Sequence, residues 1–224
     1  MEQLCVSVEQ IKMQNLNIQT TVNFLSENYD DLKNKLQHLE VQLETERKNN
    51  LACLKTLEDR LESLERGARS SCVEIRNIPF NKSESKEGLL NTVIKIGSTL
   101  NVPFQPQEVK DIFRIGSKDS ENRTIVVDFT SNLRKEKFIQ MYKKYNKENS
   151  KLSTETLKIS GPSKPVFVSE NLSPKMKRLF FLARDYASTN DYRYCWIKNG
   201  KIFMREKDGA QHIMIKDESG LSKK

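Results

Sequence analysis

Hydrophobic residues near the start of the chain recur at alternating spacings of three and four, and neither Pro nor Gly occurs within residues 8–66. This is the a/d pattern of a coiled coil, whose narrow apolar seam can be buried only against other helices. We therefore predict an oligomerisation helix over residues 1–66; the alternative is a helix packed on the protein's own body. The seam includes Val22, Leu25, Leu32, Leu36, Leu39 and Leu43, then Leu54, Leu57, Leu61 and Leu64 in a shifted frame, which is typical of a stutter.

The last turns of this helix carry a short pattern that favours three strands. Leu61 and Leu64 are seam positions in the second frame, and Arg60 and Glu65 flank them. This resembles the Arg-h-x-x-h-Glu pattern of short trimeric coiled coils, in which an arginine stem covers the seam and its guanidinium meets a glutamate of a neighbouring helix. We predict a parallel homotrimer. A dimer is the alternative, because two seam positions hold Asn.

From residue 72 onward the periodicity becomes that of an α/β domain. The order βαββαβ predicts a ferredoxin-like, RNA-recognition-like domain over 72–172, after a linker at 67–71. Together with the helical stalk this gives an α+β protein. Leu133, Phe138, Ile139 and Met141 are expected to form the apolar side of the second helix of the domain. The predicted strands are 72–79, 109–116, 123–129 and 165–169, the helices are 84–100 and 131–147, and a polar turn occupies 117–122.

A small helix-plus-hairpin domain is predicted over 173–217, with a tail at 218–224. Ser173-Pro174 is typical of a helix start, and this helix is expected to reach about residue 188. Asn199-Gly200 is a strong two-residue hairpin turn, which pairs Lys198 with Lys201 and so fixes the register of both strands. A final strand is expected near 211–215. One face of the hairpin should pack on the helix, since it is wholly apolar: Cys195, Ile197, Ile202 and Met204.

The opposite face of the hairpin combines rings with cations. Rings that stack bases, surrounded by charges that bind phosphates, are what a platform for single-stranded nucleic acid needs. The alternative is that the rings are core, because aromatic cross-strand pairs also stabilise hairpins. The residues of this face are Tyr194, Trp196, Phe203, Lys198, Lys201 and Arg205. Further cations predicted to contact nucleic acid are Arg114, Arg123, Lys143, Lys144, Lys175, Lys177, Arg178, Arg184 and Arg193.

The charge of the chain is divided unevenly between its two parts. Residues 1–66 contain 8 basic and 12 acidic residues, a net charge of −4, whereas the whole chain has a net charge of +8. The remaining residues therefore carry a net charge of +12. A basic body on an acidic stalk indicates a polyanionic partner, and the alternative is charge that serves only solubility.

Several classes of function are not expected from the composition. The four cysteines lie far apart and only two histidines are present, so a metal site is not predicted. Reduced thiols favour an intracellular protein, cytoplasmic or nuclear. No apolar run is long enough to span a membrane, and the start of the chain lacks the pattern of a secretory signal. No P-loop, GxGxxG, GxSxG or HExxH occurs, so we expect neither an enzyme nor a cofactor.

Three segments carry a family resemblance: the run from Pro165 to Pro174, then Leu182-Ala183-Arg184, then the run from Tyr194 to Ile202. They resemble the C-terminal domain of the baculovirus few-polyhedra (FP) protein family, which has relatives in insect genomes, often in transposon-derived genes. The stretch Cys195-Trp196-Ile197-Lys198-Asn199-Gly200-Lys201-Ile202 is the most specific part, and the likeness covers roughly residues 70–217. This family is associated with viral nucleocapsids and occlusion bodies, which implies an alternative function as a structural or trafficking protein.

The overall layout is also similar to that of the first-open-reading-frame protein of LINE retrotransposons. That protein is a coiled-coil homotrimer with an RNA-recognition-like domain and a small C-terminal domain, and it is a single-strand nucleic-acid chaperone. The resemblance implies the same class of function here. RNA-recognition domains place stacking rings on their first and third strands, where this chain has Glu74, Thr124 and Val126. Nucleic acid is therefore expected to bind through charge and at the cleft between the body and the C-terminal unit.

Overall fold

The computed structural model describes residues 2–81, 83–116 and 123–221, with side chains from residue 7 onward. The polar turn predicted at 117–122 and the last residues of the predicted tail lie outside this part of the chain. The chain divides into two compact units, residues 1–60 and residues 61–224.

A single helix, α1 (Glu2–Ala68), accounts for the first unit and continues into the second. Its length follows from the absence of Pro and of an interior Gly before residue 67. The ten seam residues predicted from the sequence are between 51% and 72% exposed in the single chain. The helix passes the predicted end at residue 66 and is followed by a short turn in which Ser70 N–H donates to the carbonyl of Gly67.

Residues 72–170 form a four-stranded antiparallel sheet with two helices. The sheet order is β2-β3-β1-β4, which puts the first and third strands at the centre. The boundaries lie within a few residues of those predicted from the periodicity. The elements are β1 (Cys72–Arg76), α2 (Lys86–Thr99), β2 (Val109–Ile115), β3 (Thr124–Phe129), α3 (Asn132–Glu148) and β4 (Phe167–Glu170).

The main core lies between one face of this sheet and the helices α2 and α3. Val73 and Ile75 of β1 point into it, and Phe104, Phe129 and Phe138 meet there with ring centroids 5.5 to 6.0 Å apart. Phe138 and Ile139 are buried as predicted.

Leu133 was predicted on the apolar side of this helix, and that was wrong, because the residue is 80% exposed. It lies in the first turn of α3, just after the capping residue Ser131. Lys135 takes the buried position in that turn instead, with its ammonium paired to Glu170.

The C-terminal residues form a helix covered by a three-stranded sheet. The elements are α4 (Pro174–Thr189), β5 (Tyr194–Lys198), β6 (Lys201–Arg205) and β7 (Ile213–Ile215), in the sheet order β5-β6-β7. Ser173 caps α4 by accepting a hydrogen bond from Met176 N–H. The predicted register is confirmed from Tyr194 opposite Arg205 to Lys198 opposite Lys201. Residues 218–221, predicted as tail, form a 3₁₀ turn.

The apolar face of the hairpin packs on α4, as predicted. Ile202 and Met204 are fully buried in a second core with Leu179 and Ala183, and Cys195 and Ile197 pack against it. The hairpin turn needs a left-handed backbone at both central residues, and Asn199 and Gly200 supply it with φ of 54° and 68°. The chain is therefore mixed α and β, with a long N-terminal helix and two antiparallel sheets.

Candidate nucleic-acid interface

The outer face of the hairpin presents a partly exposed ring cluster. The rings of Trp196 and Phe203 are stacked, with centroids 5.7 Å apart and planes inclined by 22°. His212, which precedes β7, lies against both rings at 6.1 and 5.3 Å. Because the opposite face of the hairpin is buried on α4, this cluster is left toward solvent. The sequence analysis identified the ring pair but missed His212, whose position depends on the chain path after β6.

Arginines lie over these rings. The guanidinium carbon of Arg205 is 4.5 Å from the centre of the Tyr194 ring and 6.0 Å from that of Trp196. Arg193 lies 5.5 Å from the Tyr194 ring on the same face. Contacts of this kind hold a cation beside an aromatic surface. Among the described residues, Nε of Arg205 is one of two buried side-chain nitrogens without a hydrogen-bond partner, the other being that of Arg123.

Asp208, which the sequence analysis did not single out, organises this part of the hairpin. Its carboxylate accepts hydrogen bonds from the Tyr194 hydroxyl at 2.7 Å, from Arg193 at 2.8 Å and from Arg205 at 3.4 Å. The pair with Arg193 is largely exposed and contributes little to stability, whereas the Arg205 side chain is partly buried at 32% exposed. Asp208 therefore contacts both cations and orients them beside the rings.

A cleft of about 370 Å³ separates the hairpin from α3. The α3 side contributes Ile139, Gln140 and Lys143, and the hairpin side contributes Trp196 and Lys198. The lysines are exposed, whereas Ile139 is buried. The volume falls in the range of ligand-binding clefts. We call this space the α3–hairpin cleft. It brings together Lys143, Trp196 and Lys198, three of the residues predicted to contact nucleic acid, from positions far apart in the sequence.

Arg114 was predicted to contact nucleic acid, but the structure places its side chain inside the domain. Its side chain is only 3% exposed and forms a salt bridge with Glu84. The guanidinium also donates to the carbonyl oxygens of Ile78, Pro79 and Arg123. All of its donor groups are therefore used inside the domain. The buried position of Arg114 could not be predicted from the sequence, because its hydrogen-bond partners lie 9 to 36 residues away.

The other predicted cations are distributed over surfaces away from the cleft. Lys177 is bonded to the buried Glu74, and Arg178 to the exposed Glu218 at 3.3 Å. Arg184 lies over the Phe180 ring, and Arg123 over the Phe80 ring. None of these four cations lines the α3–hairpin cleft. Lys144 pairs with Glu148 on α3, Lys175 is exposed at the start of α4, and Lys201 is exposed at the hairpin turn.

The sheet face opposite α2 and α3 lacks rings at its centre, as the sequence indicated. Glu74 and Val126 are opposite each other there and both are buried. The sequence analysis missed two rings on the outer strands: Phe113 of β2 is 39% exposed and Phe167 of β4 is 42% exposed, with Arg76 over the latter at 6.0 Å.

The described thiols differ in environment, and the side chain of Cys5 lies outside the described residues. Burial, together with the Asp128 carboxylate, raises the pKa of Cys72 to about 11. Burial also raises the pKa of Cys195, and the positive charge of Arg184 acts in the opposite direction. Cys53 is exposed on α1. Within the part of the chain that the structure describes, no group of His, Cys, Asp and Glu is placed to bind a metal, and no helix is long and apolar enough to cross a membrane.

Part of the chain matches a known protein family. No curated protein matches the chain. Residues 173–224 match the family model described as Baculovirus FP protein domain 2. The match begins at the capping residue of α4 and includes the whole hairpin, so it contains the ring cluster and one wall of the α3–hairpin cleft. It covers 52 of the 224 residues. Residues 173–224, which include the hairpin and its ring cluster, are thus similar to domain 2 of the baculovirus FP protein.

Proposed function

We propose that this protein is an oligomeric binder of single-stranded RNA or DNA that acts through binding and not through catalysis. The observation that carries the proposal is the position of Trp196. Its ring is stacked on Phe203 in the outer face of the hairpin and also lines the α3–hairpin cleft beside Lys143 and Lys198. A partly exposed ring between cations suits an unpaired base flanked by phosphates.

The single-stranded form is favoured by the geometry of this surface. An unpaired base can turn its flat face to an indole ring, whereas in a duplex the bases are stacked on one another and show only their edges. The ring cluster, the arginines over Tyr194 and the two lysines at the cleft supply stacking and charge on one side of the C-terminal unit. The net charge of +12 beyond the stalk agrees with a polyanionic partner.

We further propose that α1 forms a parallel coiled coil that joins three copies, with a dimer as the alternative. The support is the exposed seam, which runs along a helix of 67 residues and is left uncovered in the single chain. Burial of such a seam against identical seams is the usual basis of coiled-coil assembly. In the single chain Glu65 is 3.9 Å from Arg69, and its side chain is about one-third exposed, which leaves room for Arg60 of another copy.

The body is proposed to have a ferredoxin-like fold of the RNA-recognition type. The order βαββαβ and the central position of β1 and β3 in an antiparallel sheet support this assignment. A long helix, such a domain and a small C-terminal unit together support the resemblance to the LINE first-open-reading-frame protein. We therefore extend the proposal to a chaperone-like role on single strands in the cytoplasm or nucleus.

A salt titration tests the proposed function. The full chain is mixed with a fluorescein-labelled dT or rU oligonucleotide, and anisotropy is measured from about 50 to 200 mM salt. We expect binding whose logarithm falls linearly with the logarithm of salt, with a slope that reports several released counterions. Absence of binding at the lowest salt would refute the proposal and favour a structural or trafficking protein that works through protein contacts.

A further inference from the structure

Two acidic side chains, Glu62 and Glu170, hold the elements of the candidate interface in place, and Glu170 also lines the α3–hairpin cleft. Glu62, near the end of α1, accepts a hydrogen bond from the hydroxyl of Ser173 at 2.9 and 3.0 Å to its two carboxylate oxygens. The same hydroxyl caps α4 by accepting from Met176 N–H at 3.2 Å. The start of α4 is therefore fixed to the end of the stalk helix by a contact between residues 111 positions apart.

Glu170 fixes the hairpin in the same way. Its carboxylate accepts the backbone N–H groups of Asn199 and Gly200, at 2.9 and 2.7 Å, so it binds the hairpin turn directly. It also accepts from the ammonium of Lys135 at 3.4 Å, and the Lys135 side chain is only 3% exposed. One carboxylate at the end of β4 thus joins α3 to the turn between β5 and β6. These are the two walls of the α3–hairpin cleft.

One side of the end of α1 contacts the hairpin turn, and the other side is exposed. The aliphatic stem of Arg66 lies against Gly200, where a side chain on that residue would meet it. Leu61 and Leu64 of the same turns are 59% and 72% exposed and point away from these contacts. The last turns of α1 therefore have exposed seam residues on one side, and residues that contact α4 and the hairpin on the other. We call the set of Glu62, Arg66, Lys135, Glu170 and Ser173 the joint.

We propose that Glu62 and Glu170 are positioning residues, which set the affinity of each body for single-stranded nucleic acid by holding the hairpin face at a fixed place beside α3. The inference rests on the proposed function. In this proposal the end of α1 has two roles: it joins the copies, and it supports the binding surface of its own chain.

The proposal predicts an effect of unusual sign. If only net charge mattered, removal of an acidic side chain from a basic protein would strengthen its binding to a polyanion. Glu62→Ala and Glu170→Gln should instead weaken binding. Alanine at position 62 removes the acceptor of the single Ser173 proton, which a glutamine oxygen would still accept. At position 170 the amide group of glutamine is a donor and cannot replace the second carboxylate oxygen at the turn or at Lys135. The hairpin then loses its fixed position, and Lys143 and Trp196 no longer face one strand together.

The test measures the affinity of full-length variants for a dT oligonucleotide of about ten nucleotides, within the site sizes of single-strand binders. Glu62→Ala and Glu170→Gln should each bind at least about fivefold more weakly, the low end of couplings between sites in proteins. Ser173→Ala breaks the contact with Glu62 from the other side without a change of charge, and also removes the cap of α4, so it should bind at least as weakly as Glu62→Ala. Ser173→Thr keeps the hydroxyl and should bind like the natural protein.

Glu155→Gln is the matched control, because Glu155 is exposed and belongs neither to the lining of the α3–hairpin cleft nor to the joint. It carries the same charge change and should bind as tightly as the natural protein or more tightly. Light scattering and circular dichroism should show the same mass and helix content in all variants. If the natural protein binds and the Glu62, Glu170 and Ser173 variants bind equally well or better, the positioning role is refuted and the proposed function stands. If the natural protein itself does not bind, the proposed function fails first.

Discussion

Trp196 and Phe203 lie opposite each other on β5 and β6, and their rings stack at 5.7 Å with nearly parallel planes. This pair has two consequences that can be separated. A cross-strand aromatic pair stabilises the hairpin, and a partly exposed indole at the edge of a cleft can receive a base. Variants that keep a ring at position 196 preserve the first effect and part of the second, whereas variants without a ring lose both.

Trp196→Ala should weaken the binding of a short single strand by about 1–3 kcal/mol, the range measured for loss of one base–aromatic contact. Trp196→Phe should retain most of the affinity. Trp196 is the one tryptophan of the chain, so its own emission reports contact with a base. We expect oligonucleotide to quench this emission. Undiminished affinity of Trp196→Ala together with unchanged emission on addition of oligonucleotide would place the binding surface elsewhere.

Lys198 and Lys201 flank the hairpin turn and should each contact a phosphate. Replacing either one with Gln should lower the salt slope of binding by about 1, while the preference among base sequences stays unchanged. Lys86→Gln serves as the control, because Lys86 is an exposed lysine paired with Asp111 on the α2 side of the body. The three variants are compared by anisotropy over the same salt range. An equal change in all three would mean that only net charge matters.

Arg114 should prove structural. Removing one partner of a buried ion pair costs about 3–5 kcal/mol, so Arg114→Ala should lower the free energy of unfolding by that order. Arg114→Lys should also be destabilised, because an ammonium cannot reproduce the planar contacts with Glu84 and three carbonyl oxygens. Urea unfolding followed by circular dichroism measures both. A stable Arg114→Ala protein with a reduced salt slope would restore the role first predicted for this residue.

The difference between Arg114 and the hairpin shows which features could be foreseen from the sequence. The hairpin register follows from two adjacent residues, Asn199-Gly200, whose left-handed backbone permits one pairing. The alternation of β1 and β3 is similarly local. The partners of a charged side chain can lie far away in the sequence, as Glu84 and Arg114 do at a separation of 30 residues.

Contacts between elements distant in the sequence account for what the sequence missed at the candidate site. Glu62 and Ser173 are 111 residues apart, and Glu170 reaches the hairpin turn 30 residues later. The stretch 67–71 was predicted to be a linker because Gly and Ser are frequent in linkers. In the structure α1 continues through Gly67, and Ser71 donates to Asp128 at 2.5 Å. Packing of the helix end on the body overrides the local composition.

Arg60→Ala should weaken the assembly of copies without unfolding the body. The arginine stem is expected to cover the seam at Leu61 and Leu64, and its guanidinium to meet Glu65 of a neighbouring helix. Light scattering over a range of protein concentrations should show a trimer mass for the natural protein and earlier dissociation for the variant. Lys55→Ala, on the same helix but off the seam, is the control. A dimer mass for the natural protein would overturn the trimer.

Self-association and nucleic-acid binding are tested together by measuring affinity for single strands of increasing length. Joining several bodies turns later contacts into intramolecular ones, which can raise affinity by about 10² to 10⁴ without new contacts. Leu32→Asp with Leu36→Asp should break the seam in the full chain and leave the joint intact. Affinities of this variant and of the natural protein are compared on dT strands from about ten nucleotides to several times that length. We predict a large loss for long strands and a small loss for short ones. Equal losses at every length, or no binding of any strand by the natural protein, would contradict the account.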